Sequence, residues 1–176
     1  MGLDIYFHKT KRAEWGEVKN KIADFNELPE DEKEEMYKSE TYPTKDFDPD
    51  VIGYFRKVNF LMEFFHYEGN CEYQEIPKSK LEALRDACLE ISEMKPEKVV
   101  YIKAKQQWES DRVEKVLSDA DQERCAEILP TQSGFFFGNT DYNQWYLDDV
   151  KNVLEWVTGV LEKLADDEVV LMYCWW

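Results

Sequence analysis

Between Pro130 and Asn139 the chain reads Thr131-Gln132-Ser133-Gly134-Phe135-Phe136-Phe137-Gly138, three adjacent aromatics bracketed by glycines and preceded by a polar turn. A solvated loop does not keep three phenylalanines out of a core. A plain core strand has no use for a glycine at each end. The segment therefore demands tight backbone geometry beside a large apolar surface. It is expected to be short and extended, with Phe135 and Phe137 filling the core and Phe136 pointing the other way. Gly134 and Gly138 would then supply positive φ or close packing.

The rest of the chain places a strand at each end and helices between. Leu3, Ile5 and Phe7 alternate with Asp4, Tyr6 and His8, the period of a strand, and a strand that starts the fold belongs near the sheet centre. His8 falls on its more polar face. Residues 169–176 are uniformly β-prone and read as a buried strand, and Cys71 to Ile76 reads as another. Helical spacing predicts helices over 12–26, 30–37, 49–67, 77–94 and 110–128, and one from Asn139-Thr140-Asp141 to about residue 165. The helix over 49–67 has the fullest set of signals: Asp48 as cap, Pro49 in the first turn, an apolar face of Val51, Phe55, Val58, Met62 and Phe65, and Gly69-Asn70 as stop. Residues 99–102 fit a strand and 103–108 fit a helix extension equally well. Residues 38–50 have no periodic face. With 176 residues, no linker and no repeat, the expectation is one α+β domain spanning 1–176, a small, largely antiparallel sheet packed with several helices.

Composition narrows the function classes. Hydrophobic residues make up 43% and aromatics 15% of the chain, enough for a sizeable core despite 34% charged residues. Net charge is −16, which repels bare nucleic acid and predicts no direct binding to it. Residues 27–50 hold ten acids against three lysines, and residues 140–168 hold eight against two. Such acidity serves solubility, or at its sharpest mimics a phosphate backbone before a basic partner. No run of about 18 apolar residues predicts a membrane span. The first residues lack the basic start and apolar stretch of a signal peptide, so a cytoplasmic protein with reduced thiols is expected. Cys71, Cys88, Cys125 and Cys174 form no CxxC pair and only His8 and His66 are histidines, so no metal and no cofactor is expected. The common nucleotide loops, the GxSxG elbow and HExxH are all missing.

One constellation stands out. Arg56-Lys57-Val58-Asn59 sits inside the expected 49–67 helix, among Phe55, Phe60, Phe64 and Phe65, with His66 two turns past Asn59. A row of Arg56, Asn59 and His66 would meet an anion, or the backbone of the 131–138 turn. Two readings stay open: buried polar groups satisfying loose carbonyls, and a ligand or partner site. Thr131, Gln132 and Ser133 have the chemistry of a small polar recognition loop. Phe136, Trp145 and the Trp175-Trp176 pair read either as core or as anchors for a partner.

These pieces together resemble a family of uncharacterised proteins from phages, prophages and gut bacteria. The resemblance rests on Met1-Gly2-Leu3-Asp4, on Arg56-Lys57-Val58-Asn59, on Leu129 through Gly138, on Thr140-Asp141-Tyr142 and on the aromatic end. It implies a phage or mobile-element origin and no particular activity. The function expected is a non-enzymatic binding or interaction protein engaging a host or phage protein. The alternative is a small-molecule binder or small enzyme with an anion-accepting pocket between the 49–67 helix and the 131–138 turn. The sequence leaves the oligomeric state open.

Overall fold

The computed structural model describes residues 2–103 and 110–176. The alternating start forms strand β1 (Asp4–Lys11), followed by helices α1 (Arg12–Asn26) and α2 (Glu30–Lys38). Next come strand β2 (Asp50–Arg56), helix α3 (Phe60–Phe65), strand β3 (Tyr73–Ile76) and helix α4 (Lys78–Ser92). Strands β4 (Lys98–Ile102) and β5 (Arg112–Val116), helices α5 (Asp119–Ile128) and α6 (Gln144–Lys163), and strand β6 (Glu168–Trp175) complete the chain.

The main sheet has the order β2-β1-β6-β3, with every pairing antiparallel, and β4 and β5 form a separate antiparallel ribbon. This is the expected α+β architecture, with β1 at the sheet centre. Ile5 pairs with Cys174 and Phe7 with Met172, so Leu3, Ile5 and Phe7 share a face with Val170, Met172 and Cys174. That face carries the main core. Phe60, Leu61 and Met62 of α3, Leu81, Leu84 and Ile91 of α4, and Leu147, Val150, Val153 and Val157 of α6 all pack into it. Each large apolar side chain buried there contributes about 1.5–3 kcal/mol. The opposite face has a smaller core at one end only, where Trp15 and Val18 of α1 pack on Val169 and Leu171. The two faces of the sheet are covered unequally.

The expected helix over 49–67 is two elements. Residues 50–56 pair with β1 as an edge strand, and only Phe60–Phe65 is helical. The helical spacing competes there with β-prone Val51, Ile52, Tyr54 and Phe55, to which β1 offers main-chain hydrogen bonds, and pairing wins. Lys57, at φ 61°, turns the chain between the two. The expected helix over 110–128 is divided in the same way. Val113 and Val116 belong to β5, and α5 begins after Ser118, whose hydroxyl accepts from the Asp121 N–H. Residues 98–102 are a strand, while 104–109 of the alternative helix lie outside the described residues. The last helix is capped by Asn143 rather than by Asn139 to Asp141, its Oδ1 accepting from the N–H groups of Trp145 and Tyr146. No helix among the described residues is long and apolar enough to cross a membrane.

Candidate functional site

Arg56-Lys57-Val58-Asn59 does meet the Phe-rich turn, but as scaffold. Asn59 is buried, and its amide donates to the carbonyls of Phe137 at 3.1 Å and Asn139 at 2.8 Å. The Phe136 carbonyl accepts from the Leu3 N–H at 3.1 Å, and the Lys57 N–H donates to the Leu3 carbonyl at 2.8 Å. Residues 135–137 form a turn, not the expected extended segment, and the Phe137 N–H donates to the Gly134 carbonyl at 3.2 Å. A Cβ at Gly134 would stand 2.7 Å from the Phe137 ring, and Gly138 has φ 91°, which accounts for both glycines. Phe137 is buried against Trp176, with ring centroids 5.5 Å apart. Phe135 is 95% exposed, against the expectation that it fills the core, and Phe136 is half-buried. The alternation that predicted their directions belongs to strands, and a turn does not keep it.

Arg56 and His66 do not form a row with Asn59. Arg56 ends β2 on the sheet face away from the main core, opposite Asp4. His66 is exposed at the C-terminal cap of α3, at φ 51°. Thr131 serves the loop itself, its hydroxyl donating to the Thr140 carbonyl and its N–H to the Tyr142 hydroxyl. Ser133 is exposed, while the Gln132 Oε1 is buried with no hydrogen-bond partner among the described residues. Trp145 stands 72% exposed at the start of α6, beside Val113 and Lys115 of β5.

A different set of aromatics makes a continuous surface. The strand register places Tyr54, Tyr6, Tyr173 and Tyr73 in one row across β2, β1, β6 and β3. Ring centroids are 5.0 Å apart for Tyr6 and Tyr54 and also for Tyr73 and Tyr173. The next row holds Arg56, Asp4 and Trp175, with the Tyr54 hydroxyl donating to the Asp4 carboxylate. Helix α1 covers the far end of this face and reaches Tyr73 through Trp15, which leaves the end with Tyr54, Arg56 and Trp175 open. Tyr54 and Trp175 are each 49% exposed, and Arg56 is exposed as well. The acid-rich 27–50 segment reaches the margin of this platform. Phe47 stacks on Trp15 at 5.7 Å and meets Tyr73 edge-on at 5.2 Å, and the Pro49 carbonyl lies 3.2 Å from the His8 Nδ1. Exposed Asp46 and Asp48 flank Phe47. Burial lowers the His8 pKa, against the opposing pull of the Pro49 carbonyl and Asp48, and burial raises that of Tyr73, with Asp48 adding to the effect. Each tyrosine is visible in the sequence, but their alignment depends on which strands are neighbours.

On the other side of the sheet, a groove of about 640 Å³ runs between α6 and the β1–β2 edge. Here β2 carries a bulge: Phe7 pairs with Gly53 and His8 with Val51, which leaves Ile52 out of the ladder. The Trp156 indole N–H donates to the Ile52 carbonyl at 2.8 Å. The indole lies over Gly53, where any Cβ would overlap it, and packs on Phe7 with centroids 4.3 Å apart. Ile52, Trp156, Val160 and Leu164 give the groove apolar walls, while Lys9, Asn152, Glu155 and Lys163 give it a polar rim. Gly159 lies between them with nothing within 4 Å of its Cβ position. A glycine inside a helix costs about 1 kcal/mol relative to alanine, and here neither φ nor packing requires it. That glycine, set in a strong helical stripe, is the one mark the groove leaves in the sequence.

Three of the four free cysteines are buried, and Cys71 is exposed. Burial pushes the Cys88 thiol up to about 12 and the Cys125 thiol up to about 11, and raises Cys174 too, so all three stay protonated. His8 lies five residues along β1 from Leu3, which holds the turn, a separation of about 17 Å that puts Ser133 out of its reach. No group of three or more His, Cys, Asp or Glu among the described residues is placed to hold a metal ion. Comparison of the chain with protein-family models, with curated proteins and with solved structures found no match in any of the three.

Proposed function

We propose that the protein is a non-enzymatic interaction module whose open sheet face docks a basic partner protein. The observation that carries this reading is the aromatic platform: a row of tyrosines across the sheet whose Tyr54 end, with Arg56 and Trp175 beside it, stands exposed, while Tyr73 at the other edge packs against Trp15 of α1 and Phe47. Tyr, Trp and Arg are the residues that dominate binding energy at protein interfaces. The charge of the partner follows from the rim. Asp46 and Asp48 are exposed beside the platform, in a chain of net charge −16. A basic partner gains from that field, and an acidic one is repelled. The resemblance to phage and prophage proteins adds a host or phage protein as the source of the partner. An anion-accepting pocket at Arg56 and the 131–138 turn has less behind it, because Asn59 is consumed by the turn and Arg56 lies on the opposite face.

A photo-crosslinking amino acid at position 54, compared with one at exposed Leu89 on α4, tests the surface. The expected outcome is a discrete basic protein captured at 54 and not at 89. Its affinity for the purified chain should fall at least tenfold with Tyr54→Ala or Trp175→Ala, and fall again as salt is raised. Equal capture at both positions, or an affinity indifferent to both substitutions, would overturn the reading.

A further inference from the structure

We propose that the groove between α6 and the bulged edge of β2 is a binding site for a medium-chain alkyl carboxylate. The inference is independent of the docking platform, which lies on the opposite sheet face. Three observations carry it. First, the volume of about 640 Å³ lies within the range of small-molecule sites. Second, the groove is elongated. From Asn152 to Lys163 it follows α6 for eleven residues, about 16 Å of helix axis. At its middle, Gly159 leaves out a side chain that would interrupt the trough, at a position where nothing among the described residues lies within 4 Å of the missing Cβ. A compact ligand needs no such continuous path, whereas an unbranched chain does. Third, the charges are placed at the end of the trough. Lys163 has no ion pair among the described residues, and Lys9 rims the same groove while bonded to Glu168 at 3.0 Å. A carboxylate head belongs beside these two ammonium groups, and the chain then lies over Gly159 against Trp156 and Val160. Glu155, which has no ion pair among the described residues, lies toward the other end and repels a second carboxylate, so the geometry selects a monoacid over a diacid.

The structure also explains why the wall is rigid. Trp156 is fixed by its bond to the Ile52 carbonyl and by the Gly53 backbone beneath it, so the apolar wall exists before any ligand arrives.

The test is calorimetric titration of the full chain with dodecanoate, below its micelle concentration, beside octanoate, dodecylammonium and dodecanedioate. Dodecanoate should bind at one site, several-fold tighter than octanoate, and dodecylammonium and dodecanedioate at least tenfold weaker. Gly159→Leu fills the trough from an open, helix-compatible position, so the variant should keep or raise its melting temperature while losing at least tenfold in affinity. Lys163→Glu should lose about tenfold for dodecanoate and little for dodecanol. Tyr54→Ala, on the other sheet face, should bind like the parent. Binding unaffected by Gly159→Leu, or equal for dodecylammonium and dodecanoate, would mark adsorption to apolar surface and overturn the site.

Discussion

Two glycines in this protein lie under aromatic rings, Gly134 under Phe137 and Gly53 under Trp156. The device is the same, since each missing side chain lets a ring sit on bare backbone. The first pair is three residues apart and closes a turn. The second joins positions more than a hundred residues apart, with the Trp156 indole bonded to the bulged Ile52 carbonyl across 104 residues of sequence. The local pair can be seen as a motif in a string of letters. The distant pair cannot, although it braces the sheet edge and shapes the groove beside it.

The comparison can be broken most sharply at Gly53. Strand propensity alone scores Gly53→Val as an improvement. The structure predicts a loss of about 3–4 kcal/mol, from overpacking plus the displaced indole bond. Chemical denaturation checks this, and a double-mutant cycle with Trp156→Ala should show strong coupling, since the second substitution removes the obstacle. If Gly53→Val were neutral, the distant pair would not exist as described.

At the local pair, Phe137→Ala should cost about 3 kcal/mol, whereas Phe135→Ala should stay within about 0.5 kcal/mol, because one ring is buried and the other is in solvent. Comparable losses from both would restore the extended core segment that the sequence suggests. Asn59→Ala removes both amide bonds to the turn and should cost about 2–3 kcal/mol, leaving the Phe137 and Asn139 carbonyls without that donor.

A smaller, pH-dependent effect lies on α6. Burial, then the charge of Asp148, pushes the Asp149 carboxyl up to about 6. A raised carboxyl pKa means that its contribution to stability is full below about pH 4 and is lost as the pH rises through 6. Asp149→Asn should therefore stabilise the protein at pH 7.5 by about 1 kcal/mol, after discounting for partial solvent screening, and by nothing at pH 4. Thermal melts at the two pH values check the sign. A gain at pH 4 equal to that at pH 7.5 would show that ionisation is not the cause.

Much of the fold is legible in the sequence wherever a pattern and its partner are close together. The alternation of Leu3, Ile5 and Phe7 marks β1, and the stripes of α1, α4 and α6 mark helices within a few residues of their bounds. The two helices that proved to be partly strand share one cause. Residues 50–56 carry the fullest helical signals in the sequence and 112–116 weaker ones, yet each becomes a strand because a neighbouring strand offers a ladder of main-chain hydrogen bonds. The candidate site follows the same rule. The sequence leaves open whether Asn59 meets an anion or the backbone of the 131–138 turn, and the structure shows its amide holding that backbone. Ser133, His66 and Trp145 lie apart in solvent, and nothing in their local spacing could have said so.

By itself the sequence determined the class of fold, the acidity, the inner strand and the need for tight backbone at the two glycines around Phe135 to Phe137, because each rests on short-range periodicity, on charge or on steric demands within a few residues. Only the tertiary structure decided that four tyrosines from four strands align, that one sheet face stays half open, and that Trp156 presses on Gly53 beside an empty helical glycine. Those features depend on strand order and register. Hydrogen-bond pairing between distant segments sets both, and no local pattern encodes which segments will pair.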